Sequence, residues 1–222
     1  MNVVVYTMIF GNYDRLRPPV KQSDNGPGYN VRHVCLTDGE LPQDVPGWEY
    51  VLPIRHYDNR RESRRCIALS HVYFPDADVT IMHGGSIQLH IPALTALAWL
   101  PDDKDMAVLR HPERDCVYDE AEAVVSIGKD SQANVWPQMR AYKAEGYPEH
   151  NGLAACTIMI RRHTDEVKQF NEFWWQQTMR YSVRDQLSFN YSCWKTGMDY
   201  GIIKGDLSAS RNWSWHAKHG HT

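Results

Sequence analysis

A chain of 222 residues, 42% hydrophobic and 23% charged, has room for one packed α/β domain spanning residues 1–222 and little for a second. A formal charge of −3 excludes a general electrostatic pull toward nucleic acid and leaves that role to local basic patches. Five scattered cysteines, Cys35, Cys66, Cys116, Cys156 and Cys193, show no C-x-x-C spacing, which points to free thiols in a reducing compartment. The start, Met1-Asn2-Val3-Val4, lacks a basic region before a long apolar stretch, and no run approaches the roughly 20 apolar residues a membrane span needs. A cytoplasmic protein with no membrane span is expected.

In chain order, residues 3–7 are β-branched and aromatic and break at Gly11-Asn12-Tyr13-Asp14, a buried strand leading into a loop. Strands are also expected over 29–36, ending at Thr37-Asp38-Gly39, and over 50–54. A helical pattern covers 59–73, and a strand over 79–82 runs into His83-Gly84-Gly85-Ser86. Strands over 106–109 and 155–160 and helices over 120–127, 132–144, 165–180 and 184–195 follow. The tail carries Trp213, Trp215, His216, His219 and His221.

Alternating strands and helices predict a Rossmann-like, mostly parallel sheet with helices on both faces. Ligands of such sheets bind outside the carboxyl ends of the strands. The loops 11–14, 37–38 and 83–86 all follow strands, so they are expected to converge on one crevice.

Residues 5–14, with Cys35-Leu36-Thr37-Asp38, resemble the nucleotide-binding start of GT-A glycosyltransferases. Asn and Asp also serve ordinary turns at such places. Three further stretches add to the likeness: 109–121, with His111-Pro112-Glu113-Arg114-Asp115; 138–163, with Glu145-Gly146-Tyr147-Pro148 and Gly152; and 174–189, with Trp174-Trp175 and Arg184-Asp185-Gln186. As an ordered set from 3 to 191, they resemble a glycosyltransferase domain once catalogued as a domain of unknown function. It is known from plant cell-wall and mucilage enzymes and from bacterial and phage relatives.

The resemblance implies a GT-A fold, a nucleotide-sugar half at about 1–90 and an acceptor half at about 91–222. It implies a UDP-sugar donor held by Tyr6, Thr7, Tyr13, Asp14, Thr37, Asp38, Arg64, His83, Gly84, Gly85 and Ser86. Asp185, Gln186, Asp115 and His111 fall at catalytic positions, and Arg114, Glu120, Gly152 and Arg184 at acceptor positions. Transfer chemistry has work for such groups: stabilising charge on the departing diphosphate and orienting or deprotonating a hydroxyl. The bland readings stand beside these. Asp185 suits a helix N-terminus, Arg114 and Asp115 suit a surface ion pair, and the tryptophan pair suits a core.

One position departs from the family pattern. Where its relatives carry an acidic residue for Mn²⁺ or Mg²⁺, this chain has Gly84, which offers no carboxylate. Three readings follow. Arginines can replace the metal: Arg60/Arg64 and Arg61/Arg65 lie on adjoining helix faces, and guanidinium binds phosphate oxygens bidentately. His83 with His216, His219 and His221 can hold a softer ion. Or the chain is an inactive nucleotide-sugar or glycan-binding module. A glycoside hydrolase using Asp115 and Asp185 ranks third among functions. The acceptor hydroxyl is expected on a glycan or on hydroxymethylcytosine in phage DNA; the latter requires a local basic groove from Arg110, Arg114, Arg140, Lys143, Arg161, Arg162 and Arg180.

Overall fold

The runs of Val, Ile, Met and Ala stack into one twisted sheet. The computed structural model describes residues 1–20, 26–40, 44–208 and 210–216. Strands β1 (Asn2–Ile9), β2 (Asn30–Thr37), β3 (Glu49–Val51), β4 (Val79–His83), β6 (Met106–Arg110), β7 (Ala154–Arg162) and β8 (Gly201–Ile203) form a seven-stranded sheet in the order β3-β2-β1-β4-β7-β6-β8. Only β7 runs against its neighbours β4 and β6; the other pairings are parallel. Together with the helices this is the mixed α/β architecture of a GT-A fold. Because β7 inserts between β4 and β6, the sheet is continuous across the expected division near residue 90.

Period-two alternation sorts β1 between two cores. Val4, Tyr6 and Met8 pack with Cys66, Ile67, Phe170, Trp174 and Phe189 on one face. Their partners come from α1 (Asn59–Ala68), α6 (Asp165–Arg180) and α7 (Gln186–Thr196). Val3 and Val5 pack on the other face against a short helix, α3 (Ala93–Leu97), and a two-stranded ribbon of β5 (Ile87–Leu89) and β9 (Trp213–Trp215). Helices α4 (Val117–Ser126) and α5 (Gln132–Ala144) enclose a third cluster with the buried Tyr142 and Leu187.

The expected helices over 132–144 and 165–180 agree with α5 and α6 at both ends. The helix expected over 59–73 is broken. α1 stops at Ala68, Leu69 leaves helical geometry (φ −98, ψ 46), and α2 (Ser70–Tyr73) restarts. The carbonyls freed by the break are not left unpaired, because the Arg161 guanidinium donates to Ile67 O at 2.6 Å and Ala68 O at 3.0 Å. Arg161 is fully buried, so it contributes to no basic groove on the surface. β3 is shorter than expected because Leu52 and Ile54 lie 64% and 79% exposed around Pro53. β5, α3, β8 and β9 run three to five residues, too short for a period to register. All five cysteines are free and buried. Among the described residues no helix is long and apolar enough to cross a membrane.

Register aligns the strand ends. Ile9 pairs with Thr37 and Tyr6 with Met82, so the loops after β1, β2 and β4 leave the same edge of the sheet. Between β6 and β7 the register slips at Val108/Leu109, whose partners are Met159 and Ala155. The extra β7 residues form a bulge beside that edge.

Arg161 also reaches Tyr6 Oη (2.9 Å) and Asn171 Oδ1 (2.7 Å), so it joins β7, β1, α1 and α6. Arg161→Leu strands these acceptors in the core, and a loss of at least about 3 kcal/mol is expected in urea unfolding monitored by circular dichroism.

Candidate functional site

A cleft of about 780 Å³ opens at the carboxyl edge of β1 and β4. Met8, Ile9 and Phe10 and the glycines 84 and 85 form its floor, and the bulged Cys156 and Thr157 border it. Asn59, Arg60, Ser63 and Arg64 of α1 make one wall. Gly128, Lys129, Arg184, Asp185 and Gln186 line it from the loops before α5 and α7, and Leu207, Trp215 and His216 from the β9 side.

Arg60, Arg64, Lys129 and Arg184 outnumber the acids Asp14 and Asp185 among these residues, so a protein of net charge −3 concentrates cations in its cleft. The α1 wall is placed by its cap: Asp58 accepts from the Arg60 and Arg61 amides at 3.0 Å each. Helical spacing then sends Arg60 and Arg64 to the cleft, while Arg61 pairs with Asp58 and Arg65 with Glu62. Arg64 Nη1 lies 3.6 Å from Asp185 Oδ2, and its Nε donates to Val183 O at 3.3 Å. Asp185 caps α7, its Oδ1 accepting from the Gln186 amide at 3.2 Å. Burial lowers the pKa of Arg184 and the Asp185 charge pulls it back up. Arg184 Nε has no acceptor among the described residues, while Nη2 donates to Gln186 Oε1 at 2.9 Å.

Asp130 appears in no sequence motif, yet it ties two cleft loops together. Its carboxylate accepts from Ser182 Oγ (2.5 Å), Val183 N (3.1 Å), Asn134 Nδ2 (2.9 Å) and Ser131 N (2.7 Å). These bonds outweigh the burial cost and hold its pKa below the usual carboxylate range. Arg60 adds a bond to Lys129 O. Asp130 and Lys129 sit in an unpatterned turn, and nothing short of the fold could have signalled them.

Asp14 and Gly85 depend on each other. A Cβ on Gly85 would lie 2.9 Å from Asp14 Cβ and Oδ2 and 3.0 Å from Ile9 Cγ1, so a bare backbone lets the carboxylate sit against the floor. Burial raises the Asp14 pKa, partly offset by Arg17 and Arg64. Tyr13 borders the cleft at 55% exposure.

Of the expected site residues, Tyr13, Asp14, Arg64, Gly84, Gly85, Ser86, Arg184, Asp185, Gln186 and His216 therefore meet in one cleft. Several others do not. Tyr6 points into the helix-side core, donates to Cys66 O at 3.1 Å and has its pKa pushed up to about 12 by burial. Thr7 is fully buried, with Oγ1 unpartnered among the described residues, and lies with His83 on the opposite side of the sheet. Thr37 Oγ1 accepts from Gly39 N at 3.1 Å, closing its own turn. Asp38 is engaged by Gly11 N at 2.6 Å, so it braces the β1 loop instead of facing the cleft.

His111 lies outside the cleft lining. Its Nδ1 accepts from the Glu113 and Arg114 amides at 3.3 and 3.1 Å, which leaves Nε2 to face Glu120 at 3.5 Å. Arg114 Nε donates to the same Glu120 carboxylate at 2.6 Å. Burial lowers the His111 pKa, and this buried cluster interacts with the cleft electrostatically through Arg184. Asp115 is 66% exposed and pairs with His150 at 2.8 Å. Gly152 takes a left-handed backbone (φ +79) beside Asn190 and Tyr200.

Of the histidines expected to hold a softer ion, the two described ones are already engaged. His83 is buried, donates from Nδ1 to Gly84 O at 3.1 Å and packs 5.8 Å from the Trp48 ring. Burial pushes its pKa down to about 4. His216 Nε2 is engaged by Ser214 Oγ at 2.8 Å, and His219 and His221 lie outside the described residues. Among the described residues the cluster with metal-ligand spacing is Cys116, Asp119 and His150, beside α4 and outside the cleft lining. In the cleft lining Gly84 supplies no carboxylate and Asp185 is paired to Arg64, which leaves Asp14, packed against Gly85, in place of the adjacent acidic pair that Mn²⁺ or Mg²⁺ favours.

The sheet with one reversed strand and the cleft at its carboxyl edge have the architecture of the GT-A class. The chain belongs to the family of the TOD1/MUCI70, glycosyltransferase-like domain, which it matches over residues 1–203. It is similar to the Arabidopsis thaliana protein named "Probable hexosyltransferase MUCI70", with 26% identity over 240 aligned residues that cover 96% of this chain and 39% of the relative. The chain thus spans about two-fifths of that relative's length.

The burial of Asp14 has a thermodynamic sign. Its folded pKa lies above the model-peptide value of 3.8, so its contribution to stability is full below that value and is lost as pH rises through the folded pKa. Asp14→Asn is expected to raise the melting temperature at pH 7, with the gain vanishing below about pH 4, as read by calorimetric melts across pH.

Proposed function

We propose that the protein is a glycosyltransferase that moves a hexosyl group from a uridine diphosphate hexose to a glycan hydroxyl, without a divalent metal. Family membership and the named relative support glycosyl transfer in general. The Arg64–Asp185 pair, flanked by Arg60, Arg184 and Lys129 at the strand ends, carries the finer reading.

In the transfer, the bond from the sugar C1 to the β-phosphate oxygen breaks, the acceptor oxygen bonds C1, and the hydroxyl proton leaves. Negative charge grows on the departing diphosphate. Guanidinium and ammonium groups fixed beforehand stabilise that charge without reorganising during the reaction. Arg60 and Arg64 are already aimed by loop carbonyls, which lowers the entropy cost of gripping phosphate. Asp185, held at 6% exposure between Arg64 and the start of α7, is the group we assign to a sugar hydroxyl or the acceptor proton. With its thiols buried and free, we assign the enzyme to a reducing compartment, the cytoplasm.

The test is calorimetric titration of uridine diphosphate in EDTA, followed by a transfer assay on a glycan panel with hydroxymethylcytosine DNA alongside. Binding that survives EDTA, weakens with salt and falls about 10- to 100-fold in Arg64→Ala is expected. Turnover that disappears in EDTA and returns with Mn²⁺ would refute the metal-free mechanism. Binding without turnover would leave a binding module, and transfer to the DNA alone would overturn the glycan acceptor.

A further inference from the structure

We propose that Trp215 is a stacking platform for a pyranose ring, forming a sugar subsite on the ribbon wall of the cleft; this rests on the glycosyltransferase reading. The two tryptophans of β9 lie on the same side of the strand, two residues apart, but do different work. Trp213 is 1% exposed, meets Trp99 edge-on at 5.5 Å and donates from Nε1 to Leu207 O at 3.1 Å. It anchors the ribbon. Trp215 is 49% exposed and borders the cleft, and among the described residues its indole has no ring, cation or hydrogen-bond partner.

Its backbone is nevertheless fixed. Trp215 pairs with the buried Ile87 across the β5–β9 ladder, and the next amide, His216 N, donates to Ser86 O at 2.8 Å. A large apolar ring held rigidly and left open to a polar cleft does little for folding, since its burial is incomplete. It is suited to a ligand ring instead.

The chemistry of the two walls selects the ligand part. The cations sit on α1 and on the loops at 129 and 184, which suits phosphate. The ribbon wall offers Leu207, Trp215 and the neighbouring Ser86, an apolar face beside hydroxyl and backbone groups. A pyranose has one C–H face to lay on an indole and a rim of hydroxyls to hydrogen-bond outward. The ring belongs either to the donor hexose or to the acceptor glycan. β9 also lies past residue 203, where the family match ends, so this platform is a specificity determinant outside the matched segment.

The experiment compares the full chain with Trp215→Ala and Trp215→Phe using three probes: uridine diphosphate, its glucose and galactose conjugates, and an array of plant and bacterial glycans. Uridine diphosphate is expected to bind all three proteins within twofold. Sugar-bearing probes are expected to lose about fivefold to tenfold with Trp215→Ala and to recover most of that with Trp215→Phe. Loss confined to the conjugates identifies the donor hexose, and loss on the array the acceptor sugar. An equal loss with uridine diphosphate itself would mean that the base stacks there and would overturn the proposal, as would unchanged binding of every probe. Unchanged melting temperatures confirm that the variants fold. Failure of the unsubstituted chain to bind uridine diphosphate would instead count against the proposed donor, and the glycan array still tests the platform.

Discussion

Arg161 has no contact with solvent, and its guanidinium reaches β1, α6 and the last two carbonyls of α1 at once. Burying a cation is costly, and the lowered Arg161 pKa reflects that. Four acceptors offset the cost. The consequence travels along α1, which at 10 residues is about 15 Å long. Its first turn carries Arg60 and its middle Arg64, so the cationic wall stands on a helix whose last carbonyls are held by a buried cation.

Support and contact are divided among acids in the same spirit. Asp38 holds the β1 loop through Gly11 N, Asp58 caps α1 and Asp130 joins the loops at 128–131 and 182–185. Among the described residues only Asp14 and Asp185 are left as carboxylates in the cleft lining. With Gly84 where relatives are expected to carry an acid, four cationic side chains outnumber two carboxylates in the lining, and this positive character is local to the cleft. That is why the net charge of −3 says little about the ligand.

The long elements were legible because burial imposes a period on them. α5 and α6 repeat over 13 and 16 residues, enough for their ends to be read from the chain alone. The break at Leu69 was not legible, because the side chain that satisfies the carbonyls freed there, Arg161, lies more than 90 residues away. The three loops at the strand ends were visible, but not which side chains turn toward the cleft. Tyr6 and His83 sit in strands whose alternation sends them to the two opposite cores, so nearness in sequence to the loops misled. Asp38 and His111 have the right chemistry but are engaged by backbone amides. Lys129 and Asp130 had no pattern to betray them.

Because a single carboxylate closes both loops, neither is free to open alone. Breaking the Asp130 bonds releases Ser182 and Val183 together with Ser131 and Asn134. Segments tied by shared bonds tend to open as one unit, so the clasp couples the local stability of the two stretches. Lys129 and Asp185, which flank those bonds in sequence, thus owe part of their placement in the cleft to one carboxylate that touches neither of them.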